Sequence, residues 1–173
     1  MIGRTGSAAV QVAKALGATV IATARSGAKA RFCTEQGADH VIDISDPAWR
    51  ERFAAATQGR GIDVVYDTVR GGGIHRVNGR ARAGCTGPRR TFASGTIAGP
   101  DAQDMLLRDY SIADVLSRFC TEAERASTLQ ALTAMLAKGQ IAPPVTAVHP
   151  FEDAPRAIAD RATDRVGQTV VTP

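Results

Sequence analysis

The sequence predicts an α/β protein whose core is a doubly wound, mainly parallel sheet with its first strand missing. Three observations carry that expectation. Helix-period and β-branched segments alternate along the chain, one pair in about every 20–25 residues. The strand segments are short unbroken apolar runs, as in strands covered on both faces. Glycines close the helical segments at Gly17, Gly37 and Gly139.

The chain opens MIGRTGSAAVQVAKALGATVIATARSGAKARF. Ser7 to Leu16 places apolar residues at 8, 9, 12, 13 and 16, which is helical spacing, and Gly17 suits the left-handed residue that ends it. ATVIATA reads as a buried strand, followed by a helix over Ala28–Gln36 and a strand at His40–Ile44. Ser45 or Asp46 can cap the next helix, PAWRERFAAAT, with Pro47 in its first turn, where no N–H partner is required. GIDVVYDTV, Gly61–Val69, reads as a strand ending near Tyr66 and Asp67.

RGGGIHRVNGRARAGCTGPRR holds six glycines and a proline and shows no clean period. TFASG reads as a short strand and turn, and Ile112–Leu116 as a further strand. Thr121-Glu122-Ala123-Glu124 is a capping-box pattern opening a long amphipathic helix to Lys138. IAPPVTAVHP is extended, its prolines confining it to an edge or loop, and a last helix (EDAPRAIADRA) and strand (TVV) follow. Strands joined by helical, right-handed crossovers make this a Rossmann-like sheet.

With 44% hydrophobic and 22% charged residues, the composition is that of an ordinary globular domain. No apolar run approaches the ~20 residues of a membrane span, and the N-terminus lacks a signal-peptide pattern. Cys33, Cys85 and Cys120 are odd in number and widely spaced, and His40, His75 and His149 share no ligand spacing, so no metal site is expected. Cys33 reads as a small apolar packing residue. A cytoplasmic protein is the expectation. The net charge of +4 is local: Arg70, Arg76, Arg80, Arg82, Arg89 and Arg90 fall between Asp67 and Asp101 with no acid among them. That stretch lacks aromatics for base stacking, so neither nucleic acid nor membrane is expected as a partner.

The glycines before the first helix carry the chemistry. In such folds a nucleotide pyrophosphate sits at the helix N-terminus, held by exposed N–H groups and the positive helix end. A Cβ would hold the backbone away from the phosphate, and Gly3 and Gly6 remove it. The residue ending the next strand selects the cofactor, an acid there accepting the ribose hydroxyls of NAD. This sequence offers Arg25, Ser26 and then Lys29, whose positive charge and hydroxyl suit a 2′-phosphate. NADPH is therefore the expected cofactor. Asp67, when ionised, can accept a ribose hydrogen bond.

GSAAVQVAKALGATVIATA, ARFCTEQGADHVID, GIDVVYDTV, FASG and FEDAPRAI with VGQTVV stand in an order that resembles the cofactor-binding half of the medium-chain dehydrogenase/reductase superfamily. The branch it most resembles is the zinc-independent NADPH:quinone oxidoreductases. The resemblance covers nearly the whole chain. It implies a Rossmann domain over residues 1–140 and a segment, 141–173, that returns to a GroES-like catalytic domain. It also implies a dimer and hydride transfer from NADPH to a quinone, enone or other carbonyl acceptor. Gly3 and Gly6 match the last two glycines of the pyrophosphate loop, and Ser26 and Lys29 the 2′-phosphate site. Thr68-Val69 and Phe92-Ala93-Ser94 match loops lining the nicotinamide, while catalytic residues are not assigned.

The sequence also departs from that pattern. The large N-terminal domain, the first strand and the first glycine of the loop are not present, Arg70 replaces a usual Gly, and Ile44 replaces a frequent Tyr over the adenine. Residues 71–90 match neither the expected helix nor the expected strand. In strand order 3-2-1-4-5-6 the first strand is central, and its absence leaves edges that invite association, so the second and fourth strands are expected to close up directly, or another chain to fill the gap, or the fold to be marginal. The expected activity is that of an NADPH-dependent oxidoreductase incomplete in this chain. The alternative is a non-catalytic or decayed dinucleotide-binding fragment, or the partner of a separate catalytic subunit.

Overall fold

The computed structural model describes residues 4–67, 81–89, 103, 106–107, 111–114, 120–160 and 166–173. In chain order these form α1 (Arg4–Ala15), β1 (Ile21–Ala24), α2 (Gly27–Glu35), β2 (His40–Asp43), α3 (Trp49–Ala56), β3 (Ile62–Val64), β4 (Ala81–Arg89), β5 (Ser111–Asp114), α4 (Glu122–Ala137), β6 (Val145–Pro150), a 3₁₀ turn (Phe151–Asp153), α5 (Ala154–Asp160) and β7 (Gln168–Thr172). The chain divides into two compact units, one of Met1–Ile44 with Gln130–Pro173, the other Ser45–Leu129.

In the first unit, α1 ends where the sequence requires. Gly17 adopts φ +82°, and the Ala18 N–H reaches back to the Ala13 carbonyl at 3.0 Å, satisfying an acceptor that the helix leaves open. Strand β1 pairs in parallel with β2, Ile21 opposite His40 and Ala24 opposite Asp43. Val10, Ala22, Ala24, Phe32, Cys33 and Ala38 form one buried cluster, against which Val20, Ala30, Val41 and Val166 pack. Small residues on β1 let Phe32 of α2 approach the strand closely. Strand β6 pairs in parallel with β7, with a register shift between Val145 and Ala147.

In the second unit, the Asp46 carboxylate accepts the Ala48 N–H at 2.9 Å and pairs with Arg52 at 2.9 Å, fastening the start of α3. The helix begins at Trp49, with Pro47 in the turn before it rather than in its first turn. Trp49 and Phe53 are buried edge to face, centroids 5.8 Å apart, and the Arg50 guanidinium covers the Trp49 ring at 4.6 Å. Strands β3, β4 and β5 pair in parallel in that order.

Several expectations need correction. Of the strand expected at Gly61–Val69, the described residues show Ile62–Val64, with a register shift against β4 between those two residues, and Thr68 and Val69 lie outside the described residues. Within the stretch that shows no period, Ala81–Arg89 is a strand, paired with β3 on one side and with Ser111–Asp114 on the other. Gly87 and Pro88, poor strand formers, are paired with Ile112 and Ala113 of β5, so tertiary pairing overrides their propensity. The helix opened by the capping box buries none of its residues, so it does not turn an apolar face into a core. TFASG lies outside the described residues.

All described pairings are parallel, as the α/β class requires, but the strands are bonded in three separate sheets.

Candidate functional site

The site is built from the first turn of α1 and the junction of β1 with α2. The short connection 16–20 carries the chain from α1 into β1, and Val10 shares a buried cluster with Ala22 and Ala24. Helix α1 therefore retraces β1 in the opposite sense, and its first turn lies toward the carboxyl end of the strand. Gly6 stands one turn before Val10, about 6 Å along the axis. Ser7 beside it is fully buried. The N–H groups of this first turn have no partner within the helix and carry the positive end of its dipole.

At the junction, β1 ends at Ala24 and Arg25 and Ser26 follow, both exposed, with Lys29 half-buried in the first turn of α2. Ser26 is the N-cap of α2, extended at φ −150° and ψ 153°, and its hydroxyl accepts the Lys29 N–H at 3.4 Å. Capping uses an acceptor site of that hydroxyl and leaves its O–H to donate. Arg25, Lys29 and Arg31 face no acid in sequence before Glu35. A helix N-terminus, a hydroxyl able to donate and two cationic side chains thus stand at one junction.

Of the residues expected to bind cofactor, Gly6, Arg25, Ser26 and Lys29 are described, the last three together at one junction. Gly3, Thr68, Val69, Phe92, Ala93 and Ser94 lie outside the described residues. Tyr66 and Asp67 fall just beyond the short β3. Among the described residues no three His, Cys, Asp or Glu side chains converge to hold a metal ion. His149 in β6 has its Nε2 enclosed without a hydrogen-bond partner. Cys33 lies in the core, where burial pushes its thiol above the ordinary value, keeping it protonated and unreactive. Two polar residues of α1 escaped the sequence reading, Ser7 and Gln11, because helical periodicity reports apolar positions and is silent on what a polar side chain meets.

The zinc-binding dehydrogenase family model matches residues 5–75. A mycocerosic acid synthase-like polyketide synthase of Mycolicibacterium smegmatis is 36% identical over 69 residues, 40% of this chain and 3% of that protein. The quinone oxidoreductase of Pseudomonas syringae pv. Tomato DC3000 superposes with a TM-score of 0.82 at 27% identity, covering 99% of this chain and 54% of that one. The Escherichia coli quinone oxidoreductase, solved in complex with NADPH, superposes with a TM-score of 0.82 at 25% identity over the same shares. The chain thus spans about half the length of these structures and a small fraction of the polyketide synthase. Among the described residues no helix is long and apolar enough to cross a membrane.

Proposed function

We propose, taking as premise that the chain belongs to the medium-chain dehydrogenase/reductase superfamily, that it holds NADPH for hydride transfer to a quinone, enone or other carbonyl acceptor. The observation that carries this reading is the β1–α2 junction, where Arg25, Ser26 and Lys29 present two cations and a hydroxyl at a helix N-terminus. NADPH complexed with the Escherichia coli quinone oxidoreductase supports it.

In this reading the first turn of α1, with Gly6, offers its N–H groups to the pyrophosphate. Ser26 donates its O–H to the 2′-phosphate while still capping α2, and Arg25 and Lys29 neutralise the phosphate charge. By the resemblance, Thr68-Val69 and Phe92-Ala93-Ser94, outside the described residues, would line the nicotinamide. When bound, NADPH supplies the hydride, and the protein contributes position rather than acid–base chemistry. No zinc ion takes part.

Residues 1–140 are assigned to cofactor binding and 141–173 to a segment that packs on a second, catalytic domain. The apolar surface of that segment favours this: Val148, Phe151 and Ile158 are 62%, 69% and 68% exposed. The β1 and β3 edges, each paired on one side among the described residues, are places for association with a second copy. A second reading, a cofactor-binding chain without turnover of its own or the partner of a separate catalytic subunit, is favoured by the same uncovered surface.

The test is a titration of the purified chain with NADPH and NADH, followed by a quinone-reduction assay. Arg25→Ala with Lys29→Ala is expected to weaken NADPH by tenfold or more and to leave NADH nearly unchanged; equal losses argue against a 2′-phosphate site. Turnover by the 173-residue chain alone is expected to be very weak or absent. Quinone reduction at an ordinary enzymatic rate overturns that expectation and the second reading together.

A further inference from the structure

Gln11 stands in the middle of α1, half-buried, and its side-chain amide behaves as a peptide unit. Its Oε1 accepts the Ala142 N–H at 2.7 Å, and its Nε2 donates to the Ala142 carbonyl at 2.9 Å. One side chain thus makes both bonds that a paired strand residue would make. Nε2 also donates to Gln36 Oε1 at 2.6 Å, Gln36 being the residue that closes α2. The two Ala142 bonds fix the orientation, since a flipped amide would set its NH₂ against the Ala142 N–H and its oxygen against the Ala142 carbonyl.

Ala142 lies on the strap between Gly139, which ends α4 at φ +67°, and Val145, which begins β6. Pro143 and Pro144 follow it and have no N–H to offer, so Ala142 carries the last backbone donor before the strand. From Val145 onward the segment bonds to itself, through the β6–β7 ladder and the Gln168 N–H on the Pro144 carbonyl at 2.7 Å. Among the described residues, Val166 packs against the buried cluster of the α1–β1–α2–β2 core.

We propose that Gln11 is a latch, its amide fastening the strap before β6 to α1 so that one rotatable side chain, beside the packing of Val166, holds β6–α5–β7 against the α1–β1–α2–β2 core. Two hydrogen bonds from a single flexible residue can be made and released together by a rotamer change, without opening a packed core. The two prolines stiffen the strap, so release at Ala142 moves the approach to β6 as one piece. Gln36, which closes α2, bonds to the latch and acts on the strap only through Gln11.

Hydrogen exchange on the full chain, without cofactor, tests this. Gln11→Ala is expected to speed exchange at Ala142 and through 145–150 and 166–173 by about tenfold to a hundredfold, with β1, α2 and β2 unchanged. Gln11→Glu keeps the acceptor for the Ala142 N–H but cannot donate at neutral pH, and is expected to give a smaller rise in the same peptides. Gln36→Ala is expected to act in those peptides more weakly than Gln11→Ala. Unchanged exchange in Gln11→Ala overturns the latch, as does a rise of equal size across the whole chain. Should Gln11→Ala fail to fold, the near-isosteric Gln11→Glu carries the test, and its unchanged exchange is equally fatal. Because no cofactor is present, the outcome is separate from whether NADPH binds.

Discussion

Lys14, in the last turn of α1, grips Asp39, just before β2: Nζ lies 2.8 Å from one carboxylate oxygen and 2.9 Å from the other, and the second oxygen also accepts the Val20 N–H at 2.7 Å. One acid thus ties the approaches to both strands of the first sheet to the helix that covers them.

The Lys14 hydrogen bond, and next the Val20 N–H, hold the Asp39 carboxyl below its ordinary value. With the folded pKa depressed, the contribution to stability is fully present above the unfolded value of about 3.9 and is lost as pH falls through the lower folded value. The pair is partly exposed, so its worth is about 0.2–1 kcal/mol. Urea denaturation from pH 6 down to pH 3 should show Asp39→Asn less stable than the parent at pH 6, the difference closing toward the acid end. A difference that stays constant with pH contradicts the assignment.

Gly167 should tolerate no side chain. It adopts φ +79°, and a Cβ there would collide with the Thr146 methyl and come within 2.9 Å of the Pro144 carbonyl. Gly139 also has positive φ, at +67°, but open space around it. Gly139→Ala is expected to cost about 1–2 kcal/mol for the left-handed backbone alone, and Gly167→Ala clearly more, with loss of protection in β6 and β7. Thermal melts and hydrogen exchange of the two variants check this.

Phe32 and Cys33 are adjacent members of the buried cluster. Phe32→Ala is expected to cost about 3–5 kcal/mol in chemical denaturation. With Cys85 and Cys120 changed to Ser, the remaining Cys33 thiol should be silent to a thiol reagent at pH 8 in the folded protein and react fully in denaturant. Rapid labelling of the native state would contradict its burial.

Thr121 and Glu124 form the reciprocal cap of α4: the Glu124 N–H donates to the Thr121 hydroxyl at 3.2 Å, and the Thr121 N–H to the Glu124 carboxylate at 2.7 Å. That backbone N–H, and then the Thr121 hydroxyl, hold the Glu124 carboxyl low. Because α4 buries none of its residues, the cap weighs heavily in its stability. Thr121→Ala is expected to cost about 0.5–2 kcal/mol and to fray the first turn, visible as faster exchange there and a small loss of helical circular dichroism.

Local rules made much of this protein legible in the sequence. The α/β class, the left-handed glycine after α1, the capping box and the cationic junction after β1 each depend on residues within one or two turns of one another, where spacing and propensity speak directly. The tertiary structure decided the rest. Ala81–Arg89, rich in glycine and carrying a proline, is a strand because two distant neighbours pair with it. The reach of Gln11 to Ala142 and the need for glycine at 167 beside Thr146 are likewise contacts between distant parts of the chain. A polar side chain's partner across such a distance leaves no periodic trace in the sequence, because it is the fold that brings the two groups into hydrogen-bonding range.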